Sequence, residues 1–374
     1  MSKRVVVSVI NDLTSDQRVH RTCTTLSELG FDVVLVGRMK KESISLKPRV
    51  YETVRMNLLT QRGPFFYAEY NLRLFLFLLF KKVNVLHAND LDTLLANRLI
   101  QRLKNLDLVY DSHEYFTEVP ELAEGSFAKS VWLSIEKSIF PKLKNVFTVN
   151  QSIASIYKKL YNVDLKVMRN VPIAARFNSE TKVKSRSDLG LPEGKKIILL
   201  QGAGINADRG AEEMIDAMSW IDALFLIVGS GDIISDLKEK VENLSLSTKV
   251  IFTGRVPFEE LISFTKAADV GVTLDKDTNL NYRYSLPNKI FDYFQADLPV
   301  IASDLIEVRR IIDKYQSGII LSSHEPRTMA KEITNYLNDK NRFNQTKKNV
   351  QKAKAELIWE NEKKVLISCY ETIG

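Results

Sequence analysis

The sequence predicts an α/β protein built from two doubly wound parallel sheets, and three observations carry that expectation. Short β-branched runs alternate with amphipathic helical stretches along most of the chain. The alternation restarts after a polar segment near the middle. At 374 residues the chain is also longer than one hydrophobic core usually fills, so two domains are expected.

Arg4 to Ile10 is a continuous β-branched run, the pattern of a strand buried on both faces. The polar loop Asn11–Asp16 leads into a helix carrying Val19, Cys23, Leu26 and Leu29 and stopped by Gly30; Phe31–Val36 is the next strand, which completes a βαβ unit. Strands at Val83–Ala88, Leu106–Asp111 and Val146–Val149 then alternate with helices over Leu91–Leu103, Ser130–Lys144 and Ser152–Leu160. A short strand at Lys166–Met168 runs into Arg169-Asn170-Val171-Pro172, and the polar stretch 178–187 reads as a linker. The second half has strands at Lys196–Leu200, Leu224–Val228, Val250–Thr253 and Val270–Thr273, separated by helices over Arg209–Met218, Ile233–Asn243 and Glu259–Ala267. A long polar, helix-forming tail follows over Arg327–Thr372, with Trp359 and Tyr370 available to anchor its end.

Composition is that of an ordinary soluble globular protein, with 45% hydrophobic and 26% charged residues. The formal charge of +7 favours an acidic partner such as a nucleotide, a phosphate-rich substrate or an anionic membrane surface, although a mildly basic soluble protein accounts for it equally. Nucleic acid is not expected, since zinc spacing, a basic arm and Lys/Arg runs interleaved with aromatics are all missing. Cys23 and Cys369 give no disulfide framework or thiolate metal site, which suits a reducing cytoplasm, and Met-Ser-Lys-Arg runs straight into a strand without the apolar stretch of a signal peptide. The apolar segment Phe65–Phe80 contains Glu69 and Arg73 and is followed by Lys81 and Lys82; its uninterrupted apolar part is too short to span a bilayer. Two readings stand for residues 65–82: a helix lying in a membrane interface, with Phe75, Leu78 and Leu79 toward lipid, or a helix buried against the first sheet. The first reading places the protein on the inner face of the cytoplasmic membrane.

The most informative stretch is Tyr284–Asp304. It reads as a turn containing Pro287, a helix whose amides begin near Asn288, and a buried strand, Leu298–Ala302. A helix start presents unpaired N–H groups and the positive end of the dipole, and Lys289 lies in its first turn, so an anion site is expected there. Pro287, Lys289, Asp292, Tyr293, Pro299, Val300, Ile301, Ala302, Ser303 and Asp304 match the nucleotide-sugar motif "P-x-K-x-x-E-Y-x-x-x-G-x-P-V-I-A-S-D". The chain thereby resembles the GT-B glycosyltransferases, in particular glycosyltransferase family four.

The resemblance implies two Rossmann-like domains facing a central cleft: an acceptor-binding domain at 1–172 and a donor-binding domain at 173–354, with a last helix at about 355–374 packing back on the first. It implies a nucleoside-diphosphate sugar as co-substrate, no cofactor and no metal. The glycine loop Gln201–Gly210 resembles the family's "G-R…K-G" loop, in which Gly202 and Gly204 let backbone approach the donor and Arg209 holds its diphosphate. Ala203 stands where the family has Arg, so either the pocket is less positive or Lys289 compensates. A second glycine turn at Gly229 borders the base, and Tyr284, Ser285, Leu286, Pro287 and Asn288 line the donor site. Asp292 occupies the place of the Glu that grips the ribose, while Tyr284 replaces the other Glu of the E-x7-E motif. That contact falls to the Tyr284 and Ser285 hydroxyls with backbone amides, or to Asp275 or Asp277. Asp297 replaces the family's Gly before Leu-Pro-Val, a place Asp can hold if its φ is positive.

In the first half, Tyr110–Tyr115 ends a strand, the edge at which open α/β sheets bind ligands. His113 matches the family's His against the transferred sugar, and with Arg209 and Lys289 it is the expected catalytic set. Asp16, Arg18 and Asp90 are acceptor-side candidates. Asp275-Lys-Asp277 and Asp90-Leu-Asp92 have an Asp-x-Asp form used elsewhere for divalent ions, but two repeated sheets argue for solvated loops. The resemblance implies retaining transfer of a sugar from a UDP- or GDP-sugar to a sugar or lipid-linked acceptor, in a bacterial surface polysaccharide or lipid-linked glycan. A UDP-sugar epimerase of the same fold, or a scaffold that only binds nucleotide, are the alternatives.

Overall fold

The computed structural model describes residues 2–14, 16–178 and 183–373. They divide into two compact units, Met1–Asn170 with Glu362–Gly374, and Val171–Asn361. The middle of the linker expected over 178–187, residues 179–182, lies outside the described residues.

The first unit runs β1 (Arg4–Asp12), α1 (Gln17–Glu28), β2 (Asp32–Met39), β3 (Glu52–Asn57), α2 (Gly63–Phe80), β4 (Val85–Asn89), α3 (Leu91–Lys104), β5 (Asp107–Ser112), α4 (Phe127–Ile139), β6 (Asn145–Thr148), α5 (Gln151–Tyr161) and β7 (Lys166–Val167). Its seven strands lie in the order β3-β2-β1-β4-β5-β6-β7, each pair parallel. In β1, Val5–Ser8 pairs with Val33–Val36 on one side and Val85–Ala88 on the other. Its valines 5, 6 and 7 are wholly buried, as the unbroken apolar run requires. Sequence pattern missed β3, an edge strand with no fully buried residue and therefore no apolar signature.

The buried reading of the 65–82 segment holds along one face of the helix. Phe66, Tyr70, Leu74 and Leu78, spaced four apart, form the buried stripe of α2, so Leu78 belongs to the core and not to a lipid-facing side. Phe65, Leu72, Leu76 and Phe80 are exposed on the remaining surface. No helix among the described residues is long and apolar enough to cross a membrane.

The second unit runs α6 (Ala175–Asn178), β8 (Ile197–Gly202), α7 (Ala211–Ala217), β9 (Leu224–Gly229), α8 (Ile234–Asn243), β10 (Val250–Gly254), α9 (Phe258–Ala267), β11 (Val270–Thr273), α10 (Leu280–Arg283), α11 (Lys289–Gln295), β12 (Val300–Ala302), α12 (Ile306–Tyr315), β13 (Gly318–Ile320), α13 (Pro326–Asn338) and α14 (Lys340–Glu356). The sheet order, β10-β9-β8-β11-β12-β13, repeats the doubly wound pattern, again all parallel. The expected polar tail is three helices. Glu325 caps α13 through the Arg327 and Thr328 amides at 3.0 and 2.6 Å, and Asp339 caps α14 through Arg342 at 3.0 Å. The last helix, α15 (Trp359–Ile373), buries Leu366, Cys369 and Tyr370 in its final turns. Within the first unit the Tyr370 hydroxyl meets His87 Nδ1 at 2.8 Å, and burial lowers the His87 pKa to about 4, which keeps the ring neutral.

Strands β8 and β11 pair only at Val270–Ile198 and Gly271–Leu199 and then part. The Tyr293 hydroxyl fills the parting: it accepts from the Gln201 amide at 3.3 Å and lies within donating distance of the Leu199 and Val272 carbonyls at 3.1 and 3.2 Å. A Cβ on Gly271 would stand 2.3 Å from the tyrosine ring, so the glycine makes room for it. Tyr293→Phe is expected to lower unfolding free energy by about 1–3 kcal/mol, because buried backbone groups lose their partner; urea titration of the full chain measures it.

Candidate functional site

In each sheet the strand order reverses beside the first strand of the unit, between β1 and β4 and between β8 and β11. Ligands of open α/β sheets bind outside the carboxyl ends at such points. The polar residues of each unit gather there.

In the first unit, β5 delivers Asp111 and His113, and β4 delivers Asn89 and Asp90. Arg18 of α1 donates to Asp111 through Nε at 2.8 Å and Nη2 at 2.6 Å, and to the Met168 carbonyl through Nη1 at 2.8 Å. Both side chains are buried, at 2% and 0% exposure, so Arg18 is fixed in the floor of the site with its fork already used. Burial alone would raise the Asp111 pKa, but Arg18 and then His113 pull it well below the ordinary carboxylate range. His113 lies between two carboxylates, Nδ1 at 3.2 Å from Asp90 and Nε2 at 3.3 Å from Asp111. Its amide donates to Asp90 Oδ1 at 2.8 Å. Burial works against the imidazolium, yet Asp90 and Asp111 outweigh it and hold the pKa well above the ordinary value; at neutral pH the ring carries its proton. Asp90 adopts φ 57° and gives α3 no side-chain cap, turning its carboxylate to His113 instead. Asp16 caps α1 through the Val19 amide at 3.1 Å and accepts from Asn11 at 3.1 Å.

In the second unit, Arg209 leads into α7. Its Nη1 is 3.3 Å from Asp275, whose side chain is wholly buried at the end of β11, and its guanidinium lies 4.5 Å over the Tyr282 ring. Burial opposes the arginine's charge, and Asp275 and Tyr282 more than restore it. Lys289 is half-buried and, among the described residues, makes no side-chain hydrogen bond or ion pair. Burial lowers its pKa; Asp275 offsets this in part, and Arg209 adds to the lowering. Arg209 Nε, Asp275 Oδ1 and Ser285 Oγ are buried without a partner. The amides of Asn288 and Lys289 stand outside the hydrogen bonds of α11, whereas Ile290 already donates to Pro287 at 3.2 Å. Two cations, two amides and a hydroxyl therefore converge with unused donors, which is the donor set an oxyanion requires.

The glycine loops divide in purpose. A Cβ on Gly229 would meet the Gly202 carbonyl oxygen at 1.8 Å, and one on Gly231 would meet that of Ile205 at 1.9 Å; these glycines exist to pack one loop on the other. Gly204 faces open space. Asp292 lies 3.4 Å from Gln201 Nε2 and within the field of Arg176. Tyr284 ends α10, Leu286 is buried, Pro287 is half-buried and Asn288 is exposed. Asp277 is bound by Arg283 at 2.8 Å. Asp297 has φ 62° and is held by Lys354 and Gln351 at 2.8 Å each, the conformation its replacement of glycine demands.

The solvated-loop reading of the two Asp-x-Asp sequences holds for Asp277, which is exposed in its loop, and fails for the others. Asp275 and Asp92 are buried, and Asp90 is engaged by His113; polar side chains that follow a strand end are drawn into the sheet's carboxyl edge. Composition at that spacing carries no sign of burial.

The chain is similar in fold to sucrose-phosphate synthase from Thermosynechococcus elongatus, with a TM-score of 0.77 at 17% identity over 99% of each chain. It is also similar to an Anabaena protein solved in complex with UDP-glucose, with a TM-score of 0.73 at 12% identity over 99% of each chain. These likenesses define the GT-B fold. Residues 16–172 match the family model Glycosyltransferase Family 4, and residues 181–353 match Glycosyl transferases group 1. The chain belongs to the GT-B group 1 glycosyltransferases and resembles family 4. Over 148 residues it is 32% identical to alpha-monoglucosyldiacylglycerol synthase of Streptococcus pneumoniae, a match covering 37% of this chain and 32% of that one. The matched stretches span from 28% to 52% of the length of such curated relatives.

Arg18→Ala leaves the buried Asp111 carboxylate uncompensated and is expected to destabilise the protein by about 3–5 kcal/mol. Chemical denaturation checks this, and an unchanged midpoint would mean that the pair is dispensable.

Proposed function

We propose that the protein transfers a glycosyl group from a UDP- or GDP-sugar to an acceptor hydroxyl with retention of configuration, without a metal or other cofactor. The observation that carries this reading is Lys289, a half-buried cation with no side-chain partner among the described residues, beside Arg209 and the free amides of Asn288 and Lys289. A nucleoside diphosphate supplies the missing charge. The C1–O bond to the β-phosphate breaks, a new C1–O bond forms to the acceptor on the same face, and the acceptor proton passes to the departing phosphate oxygen. Arg209, Lys289 and the amides stabilise the negative charge that develops on the leaving group. Donor contacts are assigned to Gly202, Gly204, Tyr284, Ser285, Leu286, Pro287, Asn288 and Asp292, with Gly229 holding the Gly202 loop in place. His113, as an imidazolium, donates to a hydroxyl of the transferred sugar, and Asp16, Arg18 and Asp90 shape the acceptor side.

Lys289→Ala and Arg209→Ala are each expected to weaken UDP or GDP binding by about 1.5–3 kcal/mol, the range for charge-assisted hydrogen bonds. Calorimetry with and without EDTA reads this, and binding indifferent to both changes removes the two residues from the site.

The acceptor is assigned to a surface polysaccharide or lipid-linked glycan, at the inner face of a bacterial membrane. Support comes from the exposed Leu72, Leu76 and Phe80 of α2, followed by Lys81 and Lys82, and from the likeness to a glycolipid synthase. Replacing those three exposed residues with serine is expected to release the protein from anionic vesicles in a flotation assay without altering its melting temperature. Retained flotation would end the interfacial reading.

A further inference from the structure

Three polar side chains at the carboxyl edge of the first sheet have no role in the chemistry above. Arg38 lies near the end of β2, Tyr67 in the opening turns of α2 and Asp92 in the first turn of α3. The strand order brings these element ends to the side of the sheet where β1 and β4 diverge.

Asp92 is 6% exposed, yet among the described residues its carboxyl has no hydrogen bond or ion pair, and Oδ1 is entirely shut from solvent. Arg38 Nε is likewise buried without a partner. The guanidinium sits 4.4 Å over the Phe66 ring and reaches only the Gln61 carbonyl, at 3.4 Å. Burial opposes its charge, and Tyr67, Asp92, Asp12 and Tyr70 are the acidic groups around it. The Tyr67 ring packs edge-on against Trp132 at 5.2 Å, and Phe116 meets the same indole at 5.2 Å. Burial, and then Asp90, push the Asp92 pKa well upward. Two buried polar atoms without a protein partner in one place call for an explanation, and a bound polar ligand supplies one.

We propose that Arg38, Tyr67 and Asp92 form a saccharide-binding subsite that seats the sugar ring of the acceptor, an inference that rests on the reading of the first unit as the acceptor side. The surrounding charges select this chemistry. Phosphate would meet Asp12, Asp90 and Glu114, while a cation would meet Arg38 and the protonated His113. Neutral hydroxyls take a hydrogen bond from one side and give one to the other.

The test uses the full chain and the methyl glycosides of glucose, galactose, mannose and N-acetylglucosamine, titrated by saturation-transfer NMR, with UDP and GDP titrated separately by calorimetry. At least one glycoside is expected to bind. Asp92→Leu is expected to weaken it tenfold or more and Tyr67→Phe about threefold or more, while Asp92→Asn, which keeps a hydrogen-bonding side chain of the same size, stays within about threefold of wild type. Nucleotide affinity should not change in any variant. If no glycoside binds the wild-type protein, or if Asp92→Leu and Tyr67→Phe both bind as tightly as wild type, the subsite is refuted. Should Asp92→Leu fail to fold, Tyr67→Phe alone decides. Loss of UDP and GDP binding in the wild type, with glycoside binding intact, would refute the donor assignment and leave this one standing.

Discussion

A parallel strand buried on both faces has little room along its length for a polar side chain, and the central strands of both sheets of this protein are of that kind. Val5, Val6 and Val7 in one and Ile197, Ile198 and Leu199 in the other are closed off entirely. Polar groups are consequently pushed to the carboxyl ends, where the chain leaves the sheet, and they collect where neighbouring strands diverge because only there is room left between the crossovers. The chemistry of both units follows from this one constraint.

Divergence itself carries a cost that the sequence meets in a particular way. When β8 and β11 part, their inner amide and carbonyl groups lose each other, and one tyrosine hydroxyl from α11 replaces the missing partners. The same short helix then presents Lys289 on its first turn. A residue that holds the strands apart and a cation without a side-chain partner among the described residues are thus four positions apart in one element, so the opening and its charge are built together.

The two ends differ in how their charge is balanced. In the first unit Arg18, Asp111, His113 and Asp90 neutralise one another in a closed chain, giving a rigid floor whose imidazolium is fixed by its two carboxylates. In the second, Asp275 faces both Arg209 and Lys289, and one carboxylate cannot balance two cations. That end of the sheet is left with a surplus of positive charge.

The repeated alternation of β-branched runs and amphipathic helices was enough to give both doubly wound sheets, because burial on two faces leaves a signal in composition. Edge strands such as β3, half-buried and of mixed polarity, leave none. The helix start after Pro287 was likewise legible through local turn chemistry, and Asp297 with its positive φ was legible as a glycine's replacement. Whether a polar residue at a strand end is spent or available was decided only by tertiary structure. Arg18 is consumed by a carboxylate far along the chain, Gly229 by another loop's backbone, and α2 divides between a core stripe and an exposed face, while Asp92 is buried with nothing to bond. Each outcome depends on which distant strand lies alongside, a pairing set by long-range contacts that local sequence does not encode.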